Sequence, residues 1–220
     1  LYLAAVVDAR EKLRAAKPED KMTVFAVLMR LREICCDPRL VADNWTGSSA
    51  KLEACLELVT EAVAGGHRIL LFSQFTSMLE LLAKRLDEAG VSHFTLQGST
   101  PKPVRAEQVR RFNQGEADVF LISLRAGGTG LNLTAADIVI HYDPWWNLAA
   151  QNQATDRAYR IGQRNPVQVY RLIAQDTIEE KIVELQQAKQ SLADTVTGGA
   201  DGAILSMNPE QLLQLLGEEA

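Results

Sequence analysis

A chain of 220 residues, 47% apolar and 23% charged, has the composition of a folded globular protein and is long enough to bury its own core. This excludes a largely disordered protein, and no segment approaches the ~20 apolar residues of a membrane-spanning helix. The net charge of −5 argues against a protein that binds nucleic acids through a dense positive surface. The chain begins with Leu1 rather than methionine, so we expect it to be part of a longer protein.

The charge is unevenly distributed along the chain. Residues 97–171 carry nine basic and six acidic side chains, and all but one of the nine basic residues are arginine. Residues 172–220 carry two basic and nine acidic side chains. Because the planar guanidinium group donates paired hydrogen bonds to phosphate, the middle segment is where we expect a phosphate ligand. Charge alone is also compatible with a solvated mixed surface and an acidic tail.

Helices are predicted in the first third of the chain. Apolar side chains recur at helical spacing over residues 22–36, and Pro38 ends that helix. A second helix begins near Leu52 and closes at Gly65 and Gly66.

From residue 69 onward, strands alternate with helices. The predicted strands are 69–73, 93–97, 118–123, 137–142 and 167–174. The predicted helices are 75–89, 104–113, 148–160 and 177–192, with a last helix that starts at 208–211. This alternation favours a parallel sheet with right-handed crossovers, and strands that are apolar throughout are typical of a sheet covered on both faces. We therefore predict a five-stranded α/β core over about residues 66–190.

A glycine-rich segment follows the third predicted strand. Residues 125–132 include Gly127, Gly128 and Gly130, so backbone amides can approach a phosphate or a sugar closely. The segment is not a Gly-x-Gly-x-x-Gly loop, because Leu133 stands where the third glycine would be, and it is not a Walker A loop. A tight turn at the exit of a strand is the alternative.

Polar side chains recur at helical spacing over residues 153–163. Four of them share one helix face: Gln153, Asp156, Arg157 and Arg160. Two arginines one turn apart form a good clamp for a polyphosphate, although a surface ion-pair ladder has the same spacing.

Two adjacent tryptophans follow the strand predicted at 137–142. Trp145 and Trp146 would stand at the carboxyl edge of the sheet, where open α/β sheets bind ligands. Packing of one tryptophan in the core is the alternative.

The sequence contains no residue pattern typical of a metal site or of a catalytic thiol. The three histidines are isolated and are expected to be structural: His67, His93 and His141. Cys35 and Cys36 lie on an apolar helix face. Three cysteines without a Cys-x-x-Cys pair favour a reducing compartment.

Taken together, these segments resemble the C-terminal RecA-like lobe of the Swi/Snf-like ATPases, in helicase superfamily two. The matching segments are 31–40, 49–52, 69–74 (motif IV), 96–100, 123–132 (motif V), 153–163 (motif VI) and 176–181. The Arg-Ile-Gly-Gln ending of motif VI is highly specific. The positions that depart from the family pattern are Asp37, Ala50, Gln97, Leu148, Gln151 and Asp176. The family usually has aspartate at position 97, an acidic residue at 151 and glycine at 176.

The resemblance implies an α/β fold in which a RecA-like parallel sheet is flanked by helices, with helical appendages at both ends of the chain. ATP would lie between this lobe and a first RecA-like lobe, which supplies the phosphate loop and the Mg²⁺ ligands. Arg157 and Arg160 match catalytic arginine fingers, and Arg160 is expected to have the main role. The implied nucleotide-binding residues are Gly128, Gly130, Asn132, Gln153 and Asp156. No metal ligand is assigned to this chain.

The resemblance also implies contacts with the backbone of one strand of duplex DNA. The matching positions are Ser73, Gln74, Gly98, Ser99, Thr100, Ser123 and Arg125. Trp146 is expected beneath the loop that couples the DNA and nucleotide sites. The implied activity is ATP-driven translocation along double-stranded DNA, which displaces or remodels a DNA-bound protein. We expect the isolated lobe to be inactive and no membrane partner.

The same resemblance divides the chain into a helical lead-in (1–48), a RecA-like core (49–175) and a brace helix with an acidic helical tail (176–220). The alternatives are an RNA-directed superfamily-two helicase lobe and a catalytically silent protein-interaction module. The expected location is the cytoplasm, near the nucleoid, for a bacterial protein and the nucleus for a eukaryotic one. A bacterial origin is favoured, because no long insertion interrupts the core and no nuclear-type basic cluster is present.

Overall fold

The computed structural model describes residues 1–127, 131–146, 148–156, 166–193 and 207–217. The helices are α1 (Tyr2–Ala15), α2 (Lys21–Cys36), α3 (Ala50–Ala64), α4 (Thr76–Glu88), α5 (Lys102–Asn113), α6 (Leu124–Gly127), α7 (Leu148–Thr155), α8 (Ile178–Ala193) and α9 (Pro209–Leu215). The strands are β1 (Ile69–Ser73), β2 (His93–Leu96), β3 (Val119–Ser123), β4 (Ile138–His141) and β5 (Gln168–Arg171). Two compact units share these elements: Leu1–Gly47 with Ala174–Ala220, and Ser48–Ile173.

The unit Ser48–Ile173 contains a five-stranded parallel sheet in the order β2-β3-β1-β4-β5. Every residue of β1, β3 and β4 is buried, as expected for central parallel strands that helices cover. Helices α3 and α4 pack on β1, and α5 packs on β2. The predicted parallel α/β fold is therefore confirmed. Because all the strands run in the same direction, their carboxyl ends meet at one edge of the sheet.

The prediction that every strand is apolar throughout is wrong for β5. Gln168, Val169 and Arg171 are exposed, because β5 is an edge strand. An edge strand has a neighbour on one side only, and polar or charged side chains there discourage pairing with other chains.

The helix ends follow the predicted glycine signals. Helix α3 ends at Ala64 and α4 at Glu88. Gly66 and Gly90 follow them with φ angles of 81° and 70°, in the left-handed region that glycine adopts without a steric penalty.

The other unit is helical. Helix α1 packs against α2 and α9, and α2 packs against α8. The predicted apolar stripe of α2 is buried: Val24, Val27, Leu28, Leu31, Ile34 and Cys35. Asn208 and Gln211 exchange side-chain to backbone hydrogen bonds at the start of α9, which confirms the predicted cap. Within the described ranges, we find no helix that combines the length and the hydropathy needed to cross a bilayer.

Candidate functional site

Two serines end neighbouring strands at the carboxyl edge of the sheet. Ser73 of β1 and Ser123 of β3 are partners in register, and both are buried. The Ser73 hydroxyl donates to the Asp143 carboxylate at 2.6 Å and accepts from the Phe75 N–H at 3.2 Å. The Ser123 hydroxyl accepts from the Ala126 N–H at 3.3 Å. These hydroxyls therefore shape the turns after the two strands, and their contacts with DNA stay predictions.

Asp143 joins the exit of β4 to the exit of β1. Its side chain is almost fully buried, and it also accepts a hydrogen bond from the backbone N–H of Gln74 at 3.3 Å. The side chain of Gln74 is half-buried, and its Nε2 atom has no hydrogen-bond partner in the part of the chain that the structure describes. The Nε2 atom is buried, so the contact with DNA that the sequence predicts for Gln74 stays a prediction.

The predicted DNA loop after β2 is a tight turn. The Thr100 hydroxyl accepts from the Gln97 N–H at 3.0 Å, and the Thr100 N–H donates to the Gln97 carbonyl at 3.1 Å. Gly98 and Ser99, at the tip, are exposed. Because the backbone of Gln97 makes both bonds, the turn closes without the aspartate that the family usually has there.

The glycine-rich segment begins directly after β3. The single turn of helix α6 contains Arg125 and leads into the glycines. Gly128 and Gly130 lie outside the described residues. Asn132 is exposed, so this predicted nucleotide-binding residue is accessible in the lobe by itself.

Asn113, at the end of α5, holds the segment that follows the glycines. Its Nδ2 atom donates to the Asn132 carbonyl at 2.8 Å, and its Oδ1 atom accepts from the Ala135 N–H at 3.3 Å. One amide side chain thus fixes two points of this segment. Asn113 could not be identified from the sequence, since a polar residue at a helix end carries no specific signal.

The two tryptophans are half-buried, with ring centroids 6.1 Å apart. Trp145 packs against the buried core cluster of the sheet, as the alternative interpretation expected for one of them. Its backbone N–H donates to the side-chain Oε1 of Gln151 at 3.2 Å. The placement of Trp146 beneath a coupling loop stays a prediction.

Helix α7 leads toward the predicted arginine fingers. Gln153 lies on this helix and Asp156 directly follows it, and both are exposed. Gln151, also on the helix, is buried. Arg157 and Arg160 lie outside the described residues. The described part of motif VI thus presents its two predicted nucleotide-binding residues to solvent, whereas Gln151, which precedes the motif, faces inward.

Comparison with known proteins identifies the lobe. A model of the helicase conserved C-terminal domain matches residues 50–162, about half of the chain. The chain belongs to the helicase C-terminal domain family.

The relatives of this helicase lobe include ATP-dependent helicases and a protein of the Swi/Snf type. The chain is 38% identical over 206 residues to an uncharacterized ATP-dependent helicase of Mycoplasma pneumoniae, covering 93% of this chain and 20% of that protein. It is 38% identical over 208 residues to the mouse SWI/SNF-related matrix-associated actin-dependent regulator of chromatin subfamily A member 1, covering 89% of this chain and 20% of that protein. The chain spans about a fifth of the length of these curated relatives.

A solved structure confirms the predicted RecA-like Swi/Snf lobe. The Sulfolobus solfataricus SWI2/SNF2 ATPase core in complex with dsDNA superimposes with a TM-score of 0.80 at 29% sequence identity. The alignment covers 100% of this chain and 47% of that one.

His141 is a buried polar residue of the helicase lobe that the sequence analysis assigned only a structural role. It ends β4, stacks on Phe72 with ring centroids 5.6 Å apart, and lies 2.9 Å from the Thr155 hydroxyl through its Nε2 atom. Burial, and secondly the positive charge of Arg171, lower the pKa of His141 to about 4. The imidazole is therefore neutral at physiological pH.

The described part of this helicase lobe does not fit a metal centre. Across its described residues, no group of three or more His, Cys, Asp and Glu side chains is arranged to hold a metal ion. The three cysteines are buried free thiols: Cys35, Cys36 and Cys55.

Proposed function

We propose that this chain is the second motor lobe of an ATP-driven translocase on double-stranded DNA. In this proposal Arg157 and Arg160 reach ATP that is bound mainly by a first RecA-like lobe. The observation that carries it is motif VI: residues 153–162 of this motif, with both arginines, fall inside the helicase match, and the motif begins in α7. In this motor the two guanidinium groups would complete a site that neither lobe holds alone.

The proposed chemistry on the nucleotide side is stabilisation of charge. As the γ-phosphoryl group is transferred to water, negative charge develops in the transition state. An arginine finger that stabilises this charge accelerates the step by ~10³–10⁵-fold. Gly128, Gly130 and Asn132 would line the nucleotide near the ribose. Gln153 and Asp156 would orient the arginines or contact the first lobe. As the resemblance implies, the protein ligands of Mg²⁺, which would neutralise phosphate charge, are assigned to the first lobe.

On the DNA side, the proposed contacts position the backbone and do not read bases. The exposed turn at Gly98 and Ser99 would bind phosphates of one strand, and Gln74, whose Nε2 atom is buried, would contribute through the turn after β1. Ser73 and Ser123 would act through the turns that their hydroxyls hold. The dsDNA bound to the Sulfolobus ATPase core supports duplex DNA as the substrate class. Few cations are needed, because a translocase makes and breaks its contacts repeatedly.

We also propose that residues 1–48 and 176–220 are helical appendages of a motor core at 49–175, and that alternating closure and release of the two lobes moves the protein along DNA. The displaced or remodelled partner would be a DNA-bound protein.

The test uses the two-lobe protein, in which this chain is joined to its first RecA-like lobe. ATP hydrolysis is measured without nucleic acid, with duplex DNA and with duplex RNA at equal nucleotide concentration. Duplex DNA is expected to stimulate turnover most strongly. Stronger stimulation by RNA would favour an RNA-directed helicase lobe, and no stimulation by either would favour a silent interaction module.

A further inference from the structure

His141 and Thr155 connect a strand end to a helix end. His141 is the last residue of β4 and Thr155 is the last residue of α7, and their side chains lie 2.9 Å apart between Nε2 and Oγ1. Thr155 precedes Arg157 by two residues. This hydrogen bond is therefore the last described link between the sheet and the helix before the arginines of motif VI.

The direction of this hydrogen bond follows from the partners of Thr155. Its hydroxyl carries one proton, which points to the Gln151 carbonyl at 3.3 Å. In this arrangement the hydroxyl oxygen accepts from His141, and the imidazole carries its proton on Nε2. The Nδ1 atom is buried and has no hydrogen-bond partner among the described residues, as a neutral ring in this tautomer allows.

A second link holds α7 one turn earlier. The Trp145 backbone N–H donates to the Gln151 side chain, which is 1% exposed. Positions 151 and 155 lie on one face of a helix. The side chains at both positions are thus hydrogen-bonded to residues at or just after the end of β4, namely His141 and Trp145. Two such hydrogen bonds fix the rotation of α7 about its axis as well as its position.

We propose that His141 and Thr155 are positioning residues that set the direction in which α7 presents Gln153 and Asp156, the predicted nucleotide-binding residues in the described part of motif VI, to the nucleotide. This inference rests on the proposed function and adds to it a pair that contacts no substrate. Both links are made by the unit Ser48–Ile173 within itself, so the orientation of α7 exists before ATP binds.

The test compares isosteric variants of Thr155 in the two-lobe protein. Thr155→Val keeps the shape of the side chain and removes the hydroxyl, whereas Thr155→Ser keeps the hydroxyl. Because a small displacement of a catalytic group costs up to ~10²-fold in rate, we expect Thr155→Val to lower kcat about tenfold or more, with the KM for ATP changed by less than about twofold. Thr155→Ser is expected to stay within about twofold of the unchanged protein.

A matched control separates positioning from stability. Ile140→Val removes one methylene group from a buried position next to His141 and destabilises the fold without touching the hydrogen bond. We expect it to leave kcat unchanged. Equal losses of kcat in Thr155→Val and Ile140→Val, or unchanged kcat in Thr155→Val, would overturn the inference.

A spectroscopic readout tests the hydrogen bond without any enzyme activity. In this chain, the ¹⁵N shifts of the His141 ring should show a neutral Nε2–H tautomer at pH 7, with population of the Nδ1–H form increasing in Thr155→Val. An Nδ1–H ring in the unchanged chain would contradict the inference. Should Arg160→Ala abolish turnover while Thr155→Val retains it, the positioning inference fails alone; should Arg160→Ala retain full turnover, the proposed function fails with it.

Discussion

The Ser73 hydroxyl donates a hydrogen bond of 2.6 Å to the Asp143 carboxylate and joins the exits of the adjacent strands β1 and β4. Both side chains are buried, so this bond is shielded from water. The same carboxylate accepts the backbone N–H of Gln74 and thereby fixes the first residue after β1. The turn after β1, where Gln74 is predicted to contact DNA, is therefore held by the segment that leads from β4 to the tryptophans and to α7.

Replacing Ser73 by alanine is expected to destabilise the fold. The substitution leaves a buried carboxylate oxygen without one of its donors, which costs about 1–3 kcal/mol. Urea unfolding of Ser73→Ala should show a lower midpoint with an unchanged slope. Ser99→Ala, at an exposed turn, is the control and should unfold like the unchanged chain. Equal stability of the two variants would mean that the bond to Asp143 contributes nothing.

The buried imidazole of His141 predicts a loss of stability in acid. Its pKa is about 4 in the folded chain, below the ordinary value of 6.5, so between these values the unfolded state binds the additional proton. This contribution to stability is fully present above pH 6.5 and is lost as the pH falls toward 4, by at most about 3 kcal/mol.

Urea unfolding between pH 7 and pH 4.5 measures this effect. The free energy of unfolding should fall more steeply with decreasing pH in the unchanged chain than in His141→Gln, which has no titrating group at that position. Parallel pH profiles for the two proteins would show that His141 does not titrate in this way.

Asn113 is expected to affect nucleotide binding through the segment it holds. Asn113→Ala removes both hydrogen bonds to residues 132–135, and bonds of this kind are worth about 0.5–1.5 kcal/mol each. We expect the KM for ATP of the two-lobe protein to rise about two- to tenfold. Gln114→Ala, the neighbouring residue, is the control and should leave the KM unchanged. A KM in Asn113→Ala equal to that of the control would contradict the nucleotide role of this segment.

This chain by itself is expected to hydrolyse ATP no faster than buffer without protein does. Arginine fingers act on a nucleotide that other groups hold, and the proposal assigns the phosphate loop to the first lobe. A colorimetric phosphate assay with and without duplex DNA tests this expectation. DNA-stimulated release of phosphate by the chain alone would show that it holds a complete site.

The sheet could be predicted from the sequence because its central strands are uninterrupted apolar runs. Residues 69–73 match β1 at both ends, since charged or polar residues flank them. The edge strand β5 is shorter and more exposed than the strand predicted at 167–174. The prediction extended too far because the apolar residues 172–174 directly follow β5 and lengthen the apparent apolar run. Helix α5 begins two residues before the predicted start, since prolines at 101 and 103 are tolerated in a first turn.

The site could be predicted only where a motif carries it. Asn113, His141 and Thr155 belong to no motif pattern that specifies their contacts, and only the folded chain brings them to the segments they hold. At position 176, the structure supplies a reason for the family's glycine, since Asp176 adopts a φ of 56°. Aspartate tolerates this left-handed conformation better than most residues, which explains why the departure is compatible with the fold.

The most direct test of the arginine-finger proposal is the turnover of Arg160→Ala in the two-lobe protein, at saturating ATP and duplex DNA. Arg110→Ala removes an exposed arginine that pairs with Glu107 on α5, and it serves as the matched control. Loss of the finger is expected to lower kcat by ~10³-fold or more, whereas the control should stay within about twofold of the unchanged protein. Turnover of Arg160→Ala equal to that of Arg110→Ala would contradict the assignment of this chain as the lobe that completes the ATP site.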